Sequence, residues 1–293
     1  MQTVTFKCET ITPMFLAGAD GVTPELRAPS IKGALRFWWR AMHGHLPLAE
    51  LKKKEGEIFG GTGDNSSRSN ILVRVSQKNL QTERAVLVPH KSFMQQQAFR
   101  KGQTFEVSLS LVTAKAGFSL DHLVSLFEIS CILGGLGKRV RRGMGSINIL
   151  DVKSTNTEYV KKITSKIDLQ DIFELIKIFS PYYTLSNDSI NFIYSGRSEK
   201  YGFINQIQLG KSREENELLG IISNATHDVK TQNSLAYEAS MGYASRGRYA
   251  SPVYVSVVKG SLRPIITTLN IAPDKNELLA SLLIQEDFKN RIL

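Results

Sequence analysis

The chain has 293 residues, a length that favours about two domains, each able to bury its own core. Its 37 Lys and Arg exceed 27 Asp and Glu, and the formal charge of +10 favours a polyanionic partner or an anionic surface. Hydrophobic residues make up 42%, which argues against a disordered chain, and no apolar run approaches a membrane span, so no membrane partner is expected. The N-terminus lacks a basic stretch followed by an apolar one, so no signal peptide is expected. Cys8 and Cys131 lie far apart and in no CxxC, which predicts buried thiols in a reducing compartment, the cytoplasm.

Thr3 to Ile11 alternates, with Val4, Phe6 and Cys8 on one face, and reads as the first strand. Pro13 ends it, Ala17 to Gly21 is a turn, and Pro24 and Pro29 keep Glu25 to Ala28 extended. Ser30 caps a helix that runs to about His43. Ile31, Leu35, Trp38 and Met42 form its core stripe, and Lys32, Arg36 and Arg40 recur every fourth residue on another face. Trp39 lies beside Arg40, off the face of Trp38. Gly33 in the first turn costs about 1 kcal/mol against Ala, and a close backbone contact there would explain it.

Leu51 to Phe59 reads as a short basic helix or turn, and Gly60 to Asn70 as a flexible loop. Ile71, Val73 and Val75 give a second strand. Arg84 to Arg100 is irregular and basic, with Gln95, Gln96 and Gln97 in a loop or helical turn. Phe105 to Leu111 alternates with Glu106, Ser108 and Ser110 and is a third strand with one wet face. Ser119 caps a second helix that is apolar nearly all round and therefore buried.

Gly134 to Ser146 follows, with five glycines (Gly134, Gly135, Gly137, Gly143, Gly145) and four cations (Lys138, Arg139, Arg141, Arg142) and no acid. Such a loop can lie close to an extended anion, and its N–H groups can bind phosphate oxygens. It is neither of two familiar glycine motifs. A P-loop needs Ser or Thr after the lysine, where Arg139 stands, and a dinucleotide fingerprint needs a glycine where Val140 stands. A fourth strand, Ile147 to Val152, completes β-α-β-β-α-β, the ferredoxin-like arrangement.

Lys153 to Thr157 marks the expected boundary between a unit over 1–153 and one over 154–293. Glu158 to Phe179 reads as a long helix. Asn191 to Tyr194 and Phe203 to Leu209 read as strands, and Glu214 to Ala225 as a helix. Gly242 to Arg248 is a second glycine-basic element. Val253 to Val257 and Ile265 to Leu269 form a hairpin, and Asp274 to Arg291 a closing amphipathic helix. The fold class is α+β: tandem ferredoxin-like units, the second degenerate and with helical additions.

Leu26 to Arg40, ending in Arg36-Phe37-Trp38-Trp39-Arg40, resembles the first-helix motif of the RAMP superfamily of CRISPR proteins. Thr12 to Leu16, Gly18-Ala19-Asp20, Ile58-Phe59-Gly60 and Arg246 to Tyr254 narrow the resemblance to a RAMP subunit of the type III-B effector, the Cmr complex. The glycine stretch is similar to the superfamily's G-rich loop, and residues 155–235 match least well. The resemblance implies tandem ferredoxin-like folds and a non-catalytic subunit of an antiviral ribonucleoprotein. It implies contact with guide RNA near its 3′ end and help in capturing target single-stranded RNA. Other subunits of the complex are the implied partners, and base pairing reads the target sequence.

A single-stranded RNA site needs cations for the backbone and flat side chains for bases. Arg27, Lys32, Arg36 and Arg40 supply one edge, and Lys138, Arg139, Arg141 and Arg142 another. Either Trp38 or Trp39 stacks on a base, with Trp38 fitting the core better. Arg246 and Arg248 are further candidates. Six to eight phosphate contacts would give a log–log salt slope of about −4 to −6. The alternative is a RAMP endoribonuclease using Asp20 or His43. His43 is the histidine nearest the basic helix, where a helix-end role also fits it. Asp20 stands where related subunits of this superfamily carry a cutting aspartate, though Gly-Ala-Asp also fits a structural turn. A third reading is a scaffold whose basic surface meets acidic proteins. His43-x-His45 lacks nearby carboxylate or thiolate ligands, so neither a metal nor another cofactor is expected.

Overall fold

The computed structural model describes all residues except 63–66, 77–79, 92, 115–116, 155–166, 197–200, 244–248, 260–261 and 271–281, and, within one helix, the side chains of 233–237 and 239. The first half contains β1 (Gln2–Thr10), α1 (Ala28–Met42), α2 (Leu48–Phe59), β2 (Ile71–Ser76), β3 (Thr82–Val86), β4 (Gln95–Phe99), β5 (Thr104–Leu111), α3 (Leu120–Leu133) and β6 (Ile147–Ser154). Four of these strands form a sheet in the order β2-β5-β1-β6, antiparallel at every step. With β3 and β4 set aside, this is the ferredoxin-like order. Alternation decides the burial: Val4, Phe6 and Cys8 of β1 are fully covered while Lys7 between them is exposed.

Two readings of this half are corrected. Helix α1 begins at Ala28, with Pro29 inside its first turn and Arg27, not Ser30, at the N-cap. Proline suits a first turn because its missing N–H has no helical partner there. The basic stretch 84–100 is not irregular. Gln95, Gln96 and Gln97 belong to β4, which pairs with β3 from Val86↔Gln95 to Thr82↔Phe99. Polar strands of this kind lack the alternation that betrays a half-buried sheet.

Helix α3 is fixed by a capping box, in which Ser119 Oγ accepts from the His122 backbone and His122 reaches back to the Ser119 N–H. From Leu123 to Leu133 every residue is buried. Its mid-helix Ser130 gives its hydroxyl to the Leu126 carbonyl at 2.6 Å, which removes the cost of burying it.

The second half contains α4 (Leu169–Lys177), β7 (Tyr183–Leu185), β8 (Ser189–Phe192), β9 (Ile204–Leu209), α5 (Glu215–Met241), β10 (Val253–Val258), β11 (Arg263–Leu269) and α6 (Leu282–Asn290). Its sheet runs β10-β11-β9-β8-β7. From β9 onward the chain follows β-α-β-β-α, and β8, which precedes β9, lies beside it where a fourth ferredoxin-like strand would pair, with β7 beyond it at the edge. Helix α5 extends well past Ala225, to Met241. The expected helix over 158–179 and the expected closing helix from Asp274 both begin outside the described residues, as do Arg246 and Arg248.

One hydrophobic cluster runs from β1, α1 and α3 through Ile172 and Ile176 of α4 to Ile204 and Ile207 of β9 and Ile265 of β11. The two halves therefore share a core. The turn after α1 adds a polar seam. Tyr201 donates its hydroxyl toward the carbonyls of His43 (2.6 Å) and Leu46 (2.7 Å), and Gly44 leaves room for the Phe203 ring. Among the described residues no helix is long and apolar enough to cross a membrane.

Candidate nucleic-acid interface

The cationic face of α1 survives in part. Lys32 and Arg36 stand one turn apart, and Lys32 is held below the usual lysine range first by partial burial and then by the Arg36 charge. An anion bridging the two would relieve that repulsion. Arg36 and Arg40 both turn to the same carboxylate, Glu55 of α2, Arg40 at 3.6 Å. Glu55 is only 5% exposed, so α2 partly neutralises the face it covers. Arg27 lies 3.9 Å from Glu25, a loose and solvent-exposed pair.

Neither tryptophan offers a stacking surface. Trp38 and Trp39 are each 2% exposed. Trp38 meets the Phe37 and Tyr254 rings edge-on at 5.1 Å, and Trp39 packs on His43 at 4.2 Å. The reading of Trp39 as partner-facing is corrected: α2 closes over that side of α1 and adds Phe59 to the cluster. Gly33 is also corrected. It is exposed, and a Cβ there would meet open space rather than a neighbouring backbone.

The glycine stretch is a folded brace rather than an open loop. Leu136 N–H donates to the Gly145 carbonyl (3.0 Å), Lys138 N–H to Phe15 (2.8 Å), and Gly145 N–H to Pro13 (3.0 Å). A Cβ at Gly145, whose φ is +66°, would collide with the Leu136 carbonyl, and one at Gly137 with the Phe15 carbonyl. These two glycines serve close backbone approach as well as positive φ. Within the stretch Val140–Arg142 forms a short 3-10 turn, entered from Arg139 in the left-handed region at φ 61°.

That turn aims two of the four cations inward. Arg142 is 8% exposed, and its Nη1 donates to the Val253 carbonyl at 2.8 Å while Nη2 reaches Ser251 Oγ at 3.1 Å. Arg141 donates to the Ser251 carbonyl at 2.5 Å and lies 4.4 Å above the Tyr254 ring. Arg141 and Arg142 therefore clamp the glycine stretch onto β10 and its approach, and their expected outward presentation is corrected. The spacing of cations between glycines carried no hint of this, because these partners, the Ser251 and Val253 carbonyls and the Ser251 hydroxyl, lie 109 to 111 residues away. Arg139 is half-buried, and Lys138 alone of the four is exposed.

Lys138 bridges two walls. Its ammonium donates to the Gly21 carbonyl (3.2 Å) and to Gln96 Oε1 (3.1 Å). Around it a cleft of about 290 Å³ opens between the loop that follows β1 and strand β4. Arg84 of β3 also lines it. Sequence reading missed Glu55, Arg84 and this cleft, since the polar hairpin gave no strand signal.

The two catalytic alternatives have structural settings. Asp20 Oδ1 accepts from the N–H groups of Val22 (2.9 Å) and Thr23 (3.0 Å), and Oδ2 accepts from the Thr23 hydroxyl, which closes a turn. Those bonds, the hydroxyl's foremost, hold its pKa below the usual carboxylate range. His43 is half-buried, and its pKa is pushed down to about 4, chiefly by desolvation among its neighbours. Its Nδ1 lies 2.6 Å from the Trp39 carbonyl, which can only accept, so Nδ1 carries the proton. A ring so placed terminates α1.

A family model of the RAMP superfamily matches residues 7–148. The CRISPR system Cmr subunit Cmr1-2 of Pyrococcus furiosus is 29% identical over 180 residues, which are 49% of this chain and 93% of that relative. Among solved structures, Cmr1 from Pyrococcus furiosus in its apo form superposes with a TM-score of 0.63 at 19% identity, covering 100% of this chain and 96% of the other. A chain of the Type III-B Cmr-beta complex bound to cognate target RNA gives 0.62 at 12% identity, covering 100% of both chains. At these identities the two structures show a shared fold.

Proposed function

From the premise that residues 7–148 of this chain form a RAMP superfamily domain, we propose that the protein is a non-catalytic RNA-binding subunit of a type III-B CRISPR ribonucleoprotein. In this reading it contacts guide RNA near its 3′ end and assists capture of target RNA in antiviral defence, beside other Cmr subunits in the cytoplasm. Its units divide near residues 153 and 154. The observation that carries the reading is the pair Lys32 and Lys138. Both stand on the two motifs of the family resemblance, and among the described residues no ion pair engages either ammonium. Phosphate oxygens are the natural complement of such cations, and Arg36 and Arg40 add charge beside Lys32 without a carboxylate each to match.

The settings of Asp20 and His43 support the absence of catalysis. The Asp20 oxygens are already committed to its own turn, and His43 is half-buried beneath Trp39 with its Nδ1 proton held by a carbonyl. A general base needs access to the proton it takes. The test is binding of labelled single-stranded RNA across a salt series, with cleavage scored in the same samples. Lys32→Ala with Lys138→Ala should weaken binding and make the log–log slope shallower by about 1.4, at ~0.7 per lost contact, with the RNA left intact. An unchanged slope would move the reading to a protein scaffold, and cleavage lost in Asp20→Ala or His43→Ala would restore the endoribonuclease.

A further inference from the structure

The cleft around Lys138 has features that backbone binding alone does not require. The β3–β4 register places Arg84 opposite Gln97 and Val86 opposite Gln95, so Arg84, Gln95 and Gln97 share one face of the hairpin. Gln96 points the other way and accepts from Lys138, which fixes the ammonium in the cleft. Arg84, Gln95, Gln96 and Gln97 all line the same opening as Lys138. Among the described residues no hydrogen bond or ion pair engages the side chains of Arg84, Gln95 or Gln97. Val22, 69% exposed, forms an apolar part of the opposite wall. Three exposed glutamines in a row are unusual company for a cationic groove, because an amide adds no charge for phosphate binding. What an amide adds is a donor and an acceptor side by side, the pattern that matches a base edge.

We infer that this cleft is a site for one unstacked nucleotide of a single-stranded RNA. Lys138 and Arg84 hold its phosphate, Gln95 and Gln97 hydrogen-bond the edge of its base, and Val22 covers part of the base face. The inference rests on the RNA-binding reading and adds to it a base preference. A volume near 290 Å³ lies at the small end of ordinary ligand sites, which suits a single nucleotide and not a stacked run. Unpaired bases are the ones whose hydrogen-bonding edges are free to be read this way.

The experiment titrates the full chain with AMP, GMP, CMP and UMP, and with ribose 5-phosphate as the probe that lacks a base, followed by calorimetry. The expected result is about tenfold discrimination between the best and worst base, with ribose 5-phosphate weaker than the best nucleotide. In Gln95→Leu/Gln97→Leu the four nucleotides should converge to within about twofold while ribose 5-phosphate binds as before. In Arg84→Ala and in Lys138→Gln all five probes should weaken together. These side chains are exposed, and an unchanged circular dichroism spectrum and Tm confirm that each variant folds. Equal binding of all five probes by the wild type, or a preference that survives the double glutamine substitution, would overturn the inference. If the wild type binds none of them yet still binds a 20-nucleotide RNA, the nucleotide site falls and the RNA-binding reading stands. If it binds neither, the reading falls as well.

Discussion

Arg142→Ala tests whether the glycine stretch is a brace or an RNA ligand. Among the described residues the guanidinium donates to the carbonyls of Arg141 (2.7 Å) and Val253 (2.8 Å) and to Ser251 Oγ (3.1 Å), and it lies 5.0 Å from the Phe288 ring. Truncation removes all of them at once and leaves the Val253 carbonyl with the Ser251 hydroxyl, at 3.2 Å, as a donor beside the space the side chain filled. A hydrogen bond to a charged group is worth about 1.5–3 kcal/mol, and bonds made by one side chain are not additive, so the loss should be about 3–5 kcal/mol. At roughly 2–4 °C per kcal/mol for a chain approaching this size, Tm should fall by about 6–20 °C. Arg142→Lys should recover little, since an ammonium cannot serve three acceptors in the guanidinium's planar geometry. The assay is thermal and urea unfolding, with Lys138→Ala as an exposed control expected to stay within about 0.5 kcal/mol of wild type. If Arg142→Ala unfolds within about 2 °C of wild type but loses RNA affinity as Lys138→Ala does, the side chain binds RNA and the brace reasoning is wrong.

Gly33 offers a second test. Since a Cβ there meets nothing, Gly33→Ala should stabilise α1 by about 0.5–1 kcal/mol through its helix preference. If RNA approaches the backbone beside Lys32, the same substitution should weaken RNA binding several-fold, so a rise in Tm with unchanged affinity would show that nothing docks there. His43 gives a pH dependence. Its folded pKa of about 4 lies below the model-peptide value near 6.5, so the unfolded chain binds the extra proton between those values. The stability it contributes is complete above about pH 6.5 and falls as pH drops toward 4, by up to ~3 kcal/mol. Urea midpoints from pH 7.5 to 4.5 should show this decline, and His43→Gln should flatten it. A decline of the same size in that variant would assign it to other groups, His45 first among them, since burial lowers its pKa as well.

The legible parts of this protein are those where one periodicity acts alone. Val4, Phe6 and Cys8, the Phe105 to Leu111 alternation and the capped apolar helix after Ser119 each declare their element locally. The strand over Gln95–Phe99 did not, because its face is built from amides rather than alternating apolar residues. The tryptophans were half legible. The 3.6-residue period places Trp38 in the core, but it leaves Trp39 on a flank whose cover, α2 with Phe59, comes from a separate helix. The cations of the glycine stretch were the least legible, since four similar side chains between Lys138 and Arg142 divide into inward and outward sets according to a turn that only Arg139's left-handed backbone reveals.

By itself the sequence determined the β-α-β-β-α-β order of the first half apart from the β3–β4 hairpin, its basic character and the motifs that resemble the RAMP superfamily. These depend on interactions between residues a few positions apart, whose chemistry is printed in the chain. Tertiary structure decided which cations remain available to a polyanion. Glu55 draws in Arg36 and Arg40, and the strand approach at Ser251 to Val253 takes Arg141 and Arg142, while Lys138 faces the cleft beside Arg84. Free charge is what remains after folding has satisfied its nearest acceptors, and those acceptors lie 15 to 111 residues away along the chain.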